Sequence, residues 1–470
     1  MNQYSSISII QDTVKNQLSD KISHYRNLVD YLEIRLEDVQ EENITLNQDG
    51  VRHIGASSSM GGNVRVCHKG GWGFSVFSSL DLLDTALNQA VNNAKLIGTG
   101  TTRLAPVTPV QDVVFNKMIS SPYEIPVKDK MQMLEGYRDL FLSKKHEMIR
   151  TFHVGYAQKR VFKHFINTDG SHIIQEFAYI DLSMSATAFC DGQQTYIGKS
   201  WNTNDDYLSL TNKHDEISEI IKTAVEFSNA ETPNAGEYPV ILNPTLSATF
   251  AHESFGHTSE ADLFASTPGG RETLKIGRKF GPEMLTIYDS GAIPHYSGYM
   301  KYDDEGVPAG RTDLIKNGVL TGRLHSRSTA ADFDESPTGN ARAMNYKFAP
   351  IVRMRNTCIQ PGEQTLNELI SNISLGVYAI DLYGGLGGEN FSFTPSRGYM
   401  IRDGKLAEPI KNFTLSGNLF TTLHEVQGIT GEEDVLTVET GGCGKMEQYP
   451  LNVGMTAPHM AFAKIKVSGN

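Results

Sequence analysis

His252-Glu253-Ser254-Phe255-Gly256-His257 sets two imidazoles and a carboxylate within a few residues, and the five-residue spacing constrains the local fold. In a regular helix, residues four apart lie about 40° from each other around the axis, and residues five apart about 140°. The familiar H-E-x-x-H pattern uses the closer pair to present both histidines to one metal. His252 and His257 are one residue too far apart for that. A single π-bulge, one extra residue within a turn, returns them to one face. Gly256, directly before the second histidine, relieves crowding where such a distortion falls. The pattern therefore predicts a bulged metal-binding helix.

Local signals support a helix there. Tyr238 to Leu242 reads as a short buried strand, Asn243 as an N-cap, and Pro244 as the first helical residue. Leu246, Ala248, Phe250 and Ala251 then supply an apolar face. His146-Glu147 and His424-Glu425 offer no second histidine at ligand spacing and read as solvated or packing positions.

A metal held by two histidines needs a third protein ligand if a fourth position is to stay open for water. The chain has four cysteines in 470 residues, too few for a disulfide framework. Cys67, Cys190 and Cys358 lie in strand-like apolar surroundings and read as small packed residues. Cys443 differs. It sits in Glu439-Thr440-Gly441-Gly442-Cys443-Gly444-Lys445, where glycines allow close approach to a site, and is the best-placed cysteine for the third ligand.

Lys plus Arg total 42 against 54 Asp plus Glu, a formal net charge of -12. That balance disfavours direct nucleic-acid binding, which depends on neutralising phosphates. No stretch approaches the roughly 18 continuous apolar residues that span a bilayer. Met1 to Ser6 lack a basic segment followed by an apolar run, so no signal peptide is expected and the expected location is cytoplasmic.

Periodicity divides the chain into segments. Ile9 to about Val29 reads as helix, with strands at Tyr31–Glu37, Ile44–Leu46, Val64–Val66 and Trp72–Val76, and a second helix from Leu80 to Ile97. Gly98 to Thr102, followed by Pro106 and Pro109, reads as a linker. Helices are expected at Val127–Lys144 and near Glu216–Asn229, with alternating segments across Phe152–Ile197 between them. Glycine and short strands dominate after Glu260. The expected class is α+β, divided as an N-terminal α/β domain with an antiparallel sheet and flanking helices (1–110), a middle α/β segment (111–235), and a larger β-rich C-terminal domain carrying the bulged helix (236–470). Tyr383 to Gly388 is the densest glycine run and reads as a tight loop or strand edge that lets a peptide backbone come close.

With the His-Glu segment and the Gly442-Cys443-Gly444-Lys445 turn in hand, the chain resembles the TldD/PmbA family. The resemblance spans nearly the whole chain. It also rests on Gly71-Trp72-Gly73-Phe74, Asp303 to Pro308, Pro337 to Arg342 and Arg353 to Thr357. More narrowly, the chain is similar to the TldD-type subunit, a zinc metallopeptidase also called a modulator of DNA gyrase. The resemblance implies that His252, His257 and Cys443 bind one zinc per chain, with Glu253 as catalytic base. It further implies a homodimer, or a heterodimer with a PmbA-type sister subunit that lacks the histidine motif. Phe413 to Asn418 departs from the family pattern, which bears on peptide specificity rather than on the metal set.

The expected chemistry follows from those ligands. Bound zinc brings the pKa of its water to about 7 and makes that water the nucleophile; Glu253 takes its proton and passes it to the leaving amine. Glu260 or Asp262 is a candidate acceptor for a ligand histidine's free N–H, against a plain helix-surface role. Asp303, Asp304 and Glu305 read as a solvated or turn-forming run, and Arg342 as a structural ion pair in preference to a carboxylate binder. Glycine-rich strand edges favour small or unfolded peptides that pair as an added strand. The alternative is a non-catalytic assembly or gyrase-associated regulator with a structural metal site, against which the intact Glu253 argues.

Overall fold

The computed structural model describes residues 11–265 and 269–469. The start of the chain, including Met1–Ser6 and the first residues of the helix expected from Ile9, lies outside the described residues, as do the side chains of Glu439 and Thr440 and residue Gly441.

Long antiparallel strands dominate the first half. Helix α1 (Asp12–Tyr25) precedes strands β1 (Tyr31–Asn47), β2 (Gly50–His68) and β3 (Gly71–Phe77), and α2 (Leu83–Ile97) follows them. After β4 (Gln111–Val114) and α3 (Val127–Lys144) come β5 (Ile149–Asn167), β6 (His172–Cys190) and β7 (Gln193–Thr203), then α4 (His214–Ser228). Among the described residues these strands form one seven-stranded sheet, in the order β3-β2-β1-β5-β6-β4 with β7 also on β6. The sheet therefore draws strands from both sides of the Gly98–Thr102 stretch. Several expected strands are parts of longer ones. Tyr31–Glu37 and Ile44–Leu46 belong to β1, whose middle carries Glu41, Glu42 and Asn43 and so shows no apolar alternation. Two cores form on this sheet. Leu18, Ile34, Val64, Leu87 and Ala90 pack under α1 and α2, and Ile44, Leu134, Phe141, Tyr156 and Ile220 under α3 and α4.

The second half is β-rich. β8 (Gly236–Leu242) pairs on one side with strand Leu375–Leu386 and on the other with strand Met460–Gly469. Strand Met460–Gly469 pairs with Phe413–Asn418, which pairs with Asn390–Arg402, and that strand returns to Leu375–Leu386. These five strands close on themselves, which removes open sheet edges over most of the ring. A second sheet, six-stranded among the described residues, ends in the antiparallel pair Leu436–Lys445 and Gln448–Ala457. One apolar core runs between the two sheets, from Leu246, Phe250 and Phe255 to Val453 and Phe462. No helix among the described residues is long and apolar enough to cross a membrane.

The two halves are joined by buried charge. Asp303-Asp304-Glu305 forms a tight turn: the Asp303 carboxylate accepts from the backbone N–H groups of Glu305, Val307 and Ala341. The turn is thus turn-forming as expected but not solvated, because all three residues are buried. Asp304 pairs with Lys163 (2.8 Å) and Arg35 (3.4 Å), and Glu305 with Arg65 (2.5 Å), which also holds Glu33 (2.8 Å). A single sequence cannot show that basic residues on β1, β2 and β5 fold over this turn.

Candidate metal centre

Helix α5 (Pro244–Phe250) begins where the sequence indicates. The Asn243 side chain caps it by accepting the Leu246 N–H (3.0 Å), and Pro244 occupies the first turn. Phe250 fixes its far end edge-on against Phe391 and Phe462. The helix then widens into a π turn over Ala251–Gly256, in which the His257 N–H donates to the His252 carbonyl five residues back. That bond undoes the 140° separation expected of a regular helix. The two imidazole centroids lie 5.2 Å apart. Gly256 also lets a neighbour come close. A Cβ there would sit 2.0 Å from Met354 Sδ, so the turn packs directly on the Arg353–Arg355 segment.

Cys443 reaches the turn from strand Leu436–Lys445. Register shifts flank it on both sides, and such bulges re-aim a side chain locally. Its Sγ lies 3.6 Å from His257 Nε2. Candidate ligand atoms of His252, His257 and Cys443 lie within 4.8 Å of one another. The structure brings together the three residues read from the sequence as one donor set. Glu253 borders them, its carboxylate 3.9 Å from His257 Nε2 and its side chain more than a third exposed.

The surroundings hold this set in place. His257 Nδ1 faces the Glu260 carboxylate at 3.0 Å. Glu260 is itself fully buried, accepting from the Met354 N–H and pairing with Lys445 at 3.2 Å. Of the two carboxylates considered as partners for a histidine, Glu260 therefore fills that position. Asp262 instead pairs with Lys445 (2.6 Å) and accepts from the Val352 N–H. Arg353, buried behind the cysteine, donates to the Cys443 carbonyl at 2.9 Å. Among the described residues Arg342 makes no ion pair, contrary to the structural pair expected of it; it is buried and donates to the carbonyls of Met354 and Asn452. Sequence reading missed Lys445 and Arg353 as supports. Their signal was the lysine of the Gly-Cys-Gly-Lys turn and the basic residues flanking Met354.

The electrostatics fit a cation at this point. Burial alone would raise the Cys443 thiol, but His252 and His257 outweigh it and hold the thiol down at about 4. Burial alone would lower His257, but the Glu260 carboxylate and Cys443 push it up to about 10. A buried thiolate beside a buried carboxylate draws positive charge, and a divalent ion would serve that need while displacing protons from its ligands. His252 Nδ1 is buried and makes no hydrogen bond, which leaves it open to a ligand. Two imidazole nitrogens and one thiolate match the donor types of a three-ligand zinc site.

Comparison with known proteins agrees. Residues 235–469 match the PmbA/TldA metallopeptidase C-terminal domain, and residues 32–97 match PmbA/TldA metallopeptidase domain 1. A Synechocystis protein named as a metalloprotease is 39% identical over 97% of this chain and 99% of its own length. The chain belongs to the TldD/PmbA family of metallopeptidases. A zinc metalloprotease TldD homolog of Saccharolobus solfataricus is 28% identical over 93% of this chain and 96% of its own. Two solved structures share the fold. One is a Thermotoga maritima protein described as a candidate modulator of a DNA gyrase (TM-score 0.79, 20% identity, covering 97% of this chain and all of that one). The other is TldE from Thermococcus kodakarensis (TM-score 0.74, 19% identity, covering 96% of this chain and all of that one). The family resemblance read from the motifs therefore holds, and with it the assignment to metal-dependent hydrolases.

Proposed function

We propose that this chain is a zinc-dependent peptidase that hydrolyses small or unfolded peptides, with one zinc held by His252, His257 and Cys443 and with Glu253 as general base. The observation that carries the reading is the convergence of these three side chains at a π turn, with candidate ligand atoms within 4.8 Å of one another. When bound, zinc supplies Lewis-acid polarisation of the scissile carbonyl and acidifies a water molecule to a pKa of about 7.

The remaining work falls to the protein. Glu253 stands at the exposed margin of the donor set, where its carboxylate accepts a proton from water and delivers it to the departing amine. Glu260 fixes the ring orientation of His257, and Lys445 keeps Glu260 in place. Strand Leu375–Leu386 supports the choice of extended substrates. Among the described residues it pairs with β8 only through Val377–Ala379, while its later part exposes Tyr383 and Leu386. That edge offers main-chain groups to an added strand, which a folded protein does not present. In this proposal the chain works in the cytoplasm, as a homodimer or beside a PmbA-type sister subunit.

Glu253→Gln tests the reading. The substitution keeps the side chain's shape and removes its basicity, so peptide cleavage should fall about 100- to 10,000-fold while zinc content and thermal stability stay at parental values. Cleavage of unstructured peptides at the parental rate would rule out Glu253 as the base. A parental protein that carries zinc but cleaves no peptide would favour the regulatory alternative.

A further inference from the structure

The glycine run at 384–388 has a role beyond a strand edge. Strand Leu375–Leu386 and strand Asn390–Arg402 form a hairpin, and its tip reaches the π turn. The Gly388 N–H donates to the Glu253 carbonyl at 3.1 Å. Gly387 touches the same residue so closely that a Cβ would lie 2.3 Å from the Glu253 carbonyl oxygen and 2.5 Å from Glu253 Cβ. The obstacles are backbone atoms and the first carbon of the side chain, which cannot swing aside as the far end of a flexible chain can.

Where a π turn gives way to regular helix the ladder changes from i→i+5 to i→i+4, and a carbonyl at that step is open to a donor from outside the helix. The hairpin tip supplies one at Glu253. It meets the residue through backbone and Cβ, upstream of every rotatable bond that aims the carboxylate. We infer that Gly387 and Gly388 are positioning residues for the catalytic base: the hairpin tip clamps the Glu253 backbone and Cβ and so fixes the point from which its carboxylate reaches the site. This inference rests on the peptidase reading, and it assigns the tip to Glu253 rather than to the metal ligands. His252 and His257 receive their own supports from the π hydrogen bond and from Glu260.

The test is Gly387→Ala, alone and combined with Glu253→Gln, assayed on the zinc-loaded full-length chain. A misplacement of about 1 Å at a reacting group costs roughly 100-fold in rate. The single variant should lose about that much kcat with KM nearly unchanged, and should still bind about one zinc per chain at saturating zinc. In the Glu253→Gln background the same change should cost little further, because the group being aimed has already lost its basicity. Amide exchange gives a readout independent of cleavage: the Gly388 N–H should be protected in the parent and exchange faster in Gly387→Ala.

An unchanged kcat in Gly387→Ala overturns the inference. So does an equal fold-loss in both backgrounds, which would mark a general structural role, and so does loss of zinc in place of rate. If the variant fails to fold, an unprotected Gly388 amide in the parental protein overturns the inference, whereas protection matching that of the π turn supports it. An inactive zinc-loaded parent would count against the peptidase reading itself, leaving the exchange comparison to judge the clamp.

Discussion

Two buried clusters of ionisable groups meet in this molecule, and they are built on opposite plans. In the Asp303–Glu305 turn, every carboxylate oxygen accepts a hydrogen bond, from backbone N–H groups or from Arg65 and Lys163. At the π turn, candidate ligand atoms of His252, His257 and Cys443 converge to within 4.8 Å of one another. Both clusters are rich in charge and both are buried. The difference is arrangement: the first spreads its charges over ion pairs that lock a turn against the N-terminal sheet, while the second brings two imidazoles and a thiol within 4.8 Å of one another. Acidic density in the sequence therefore marks a structural turn here, whereas imidazole and thiol donors are the groups that converge.

Disrupting the first cluster should harm the fold and spare the site. Arg65→Ala leaves Glu33 and Glu305 buried without their cation, so stability should fall by about 3–5 kcal/mol in chemical denaturation. The folded fraction should still take up zinc at the parental ratio. A loss of zinc binding as large as the loss of stability would dissolve the distinction between the two clusters.

Glu260→Gln addresses the border between them, because Glu260 is a satisfied buried carboxylate that orients His257, a proposed ligand. Removing its charge should weaken zinc binding about 10- to 100-fold in a competition titration with a chelator. An unchanged affinity would reduce Glu260 to a partner of Lys445.

A smaller effect lies in the acid response of the first cluster. Burial would raise Asp304, but Lys163 and Arg35 more than offset it and hold the carboxyl at about 2, against an ordinary 3.8. A carboxylate depressed in the folded state contributes stability that is complete above its unfolded value and is lost as pH falls through the folded one. The contribution, on the order of 2 kcal/mol, should therefore disappear between about pH 3.8 and pH 2. Stability measured across that interval should be less steep in Asp304→Asn. Equal slopes would place the acid sensitivity elsewhere.

The site was more legible in the sequence than the fold around it. A five-residue histidine spacing, a proline after an asparagine cap and a glycine before the second histidine together demanded a π turn, because regular helical geometry leaves no other way to align the rings. Cys443 was legible as a candidate because a site with two histidines would want a third ligand, and the structure brings its Sγ to 3.6 Å from His257 Nε2. Helix α3 was readable to its ends even though its buried face, Lys130, Leu134, Tyr137 and Phe141, includes a lysine. The long strands were not. β2 passes through Ser57, Ser58 and Ser59, whose exposure leaves no period-two pattern to detect. Nor could a single sequence reveal that Arg35, Arg65 and Lys163 fold over Asp304 and Glu305, or that Gly387 abuts Glu253, since those pairs are separated by more than a hundred residues.

The most direct test of the central claim is zinc content per chain, measured on protein purified without chelator, for the parent and for Cys443→Ala. The account predicts about one zinc per parental chain and a sharp reduction in the variant at unchanged thermal stability of the metal-free form. Equal zinc in both proteins, or none in the parent after reconstitution at neutral pH, would contradict a three-ligand site built from His252, His257 and Cys443.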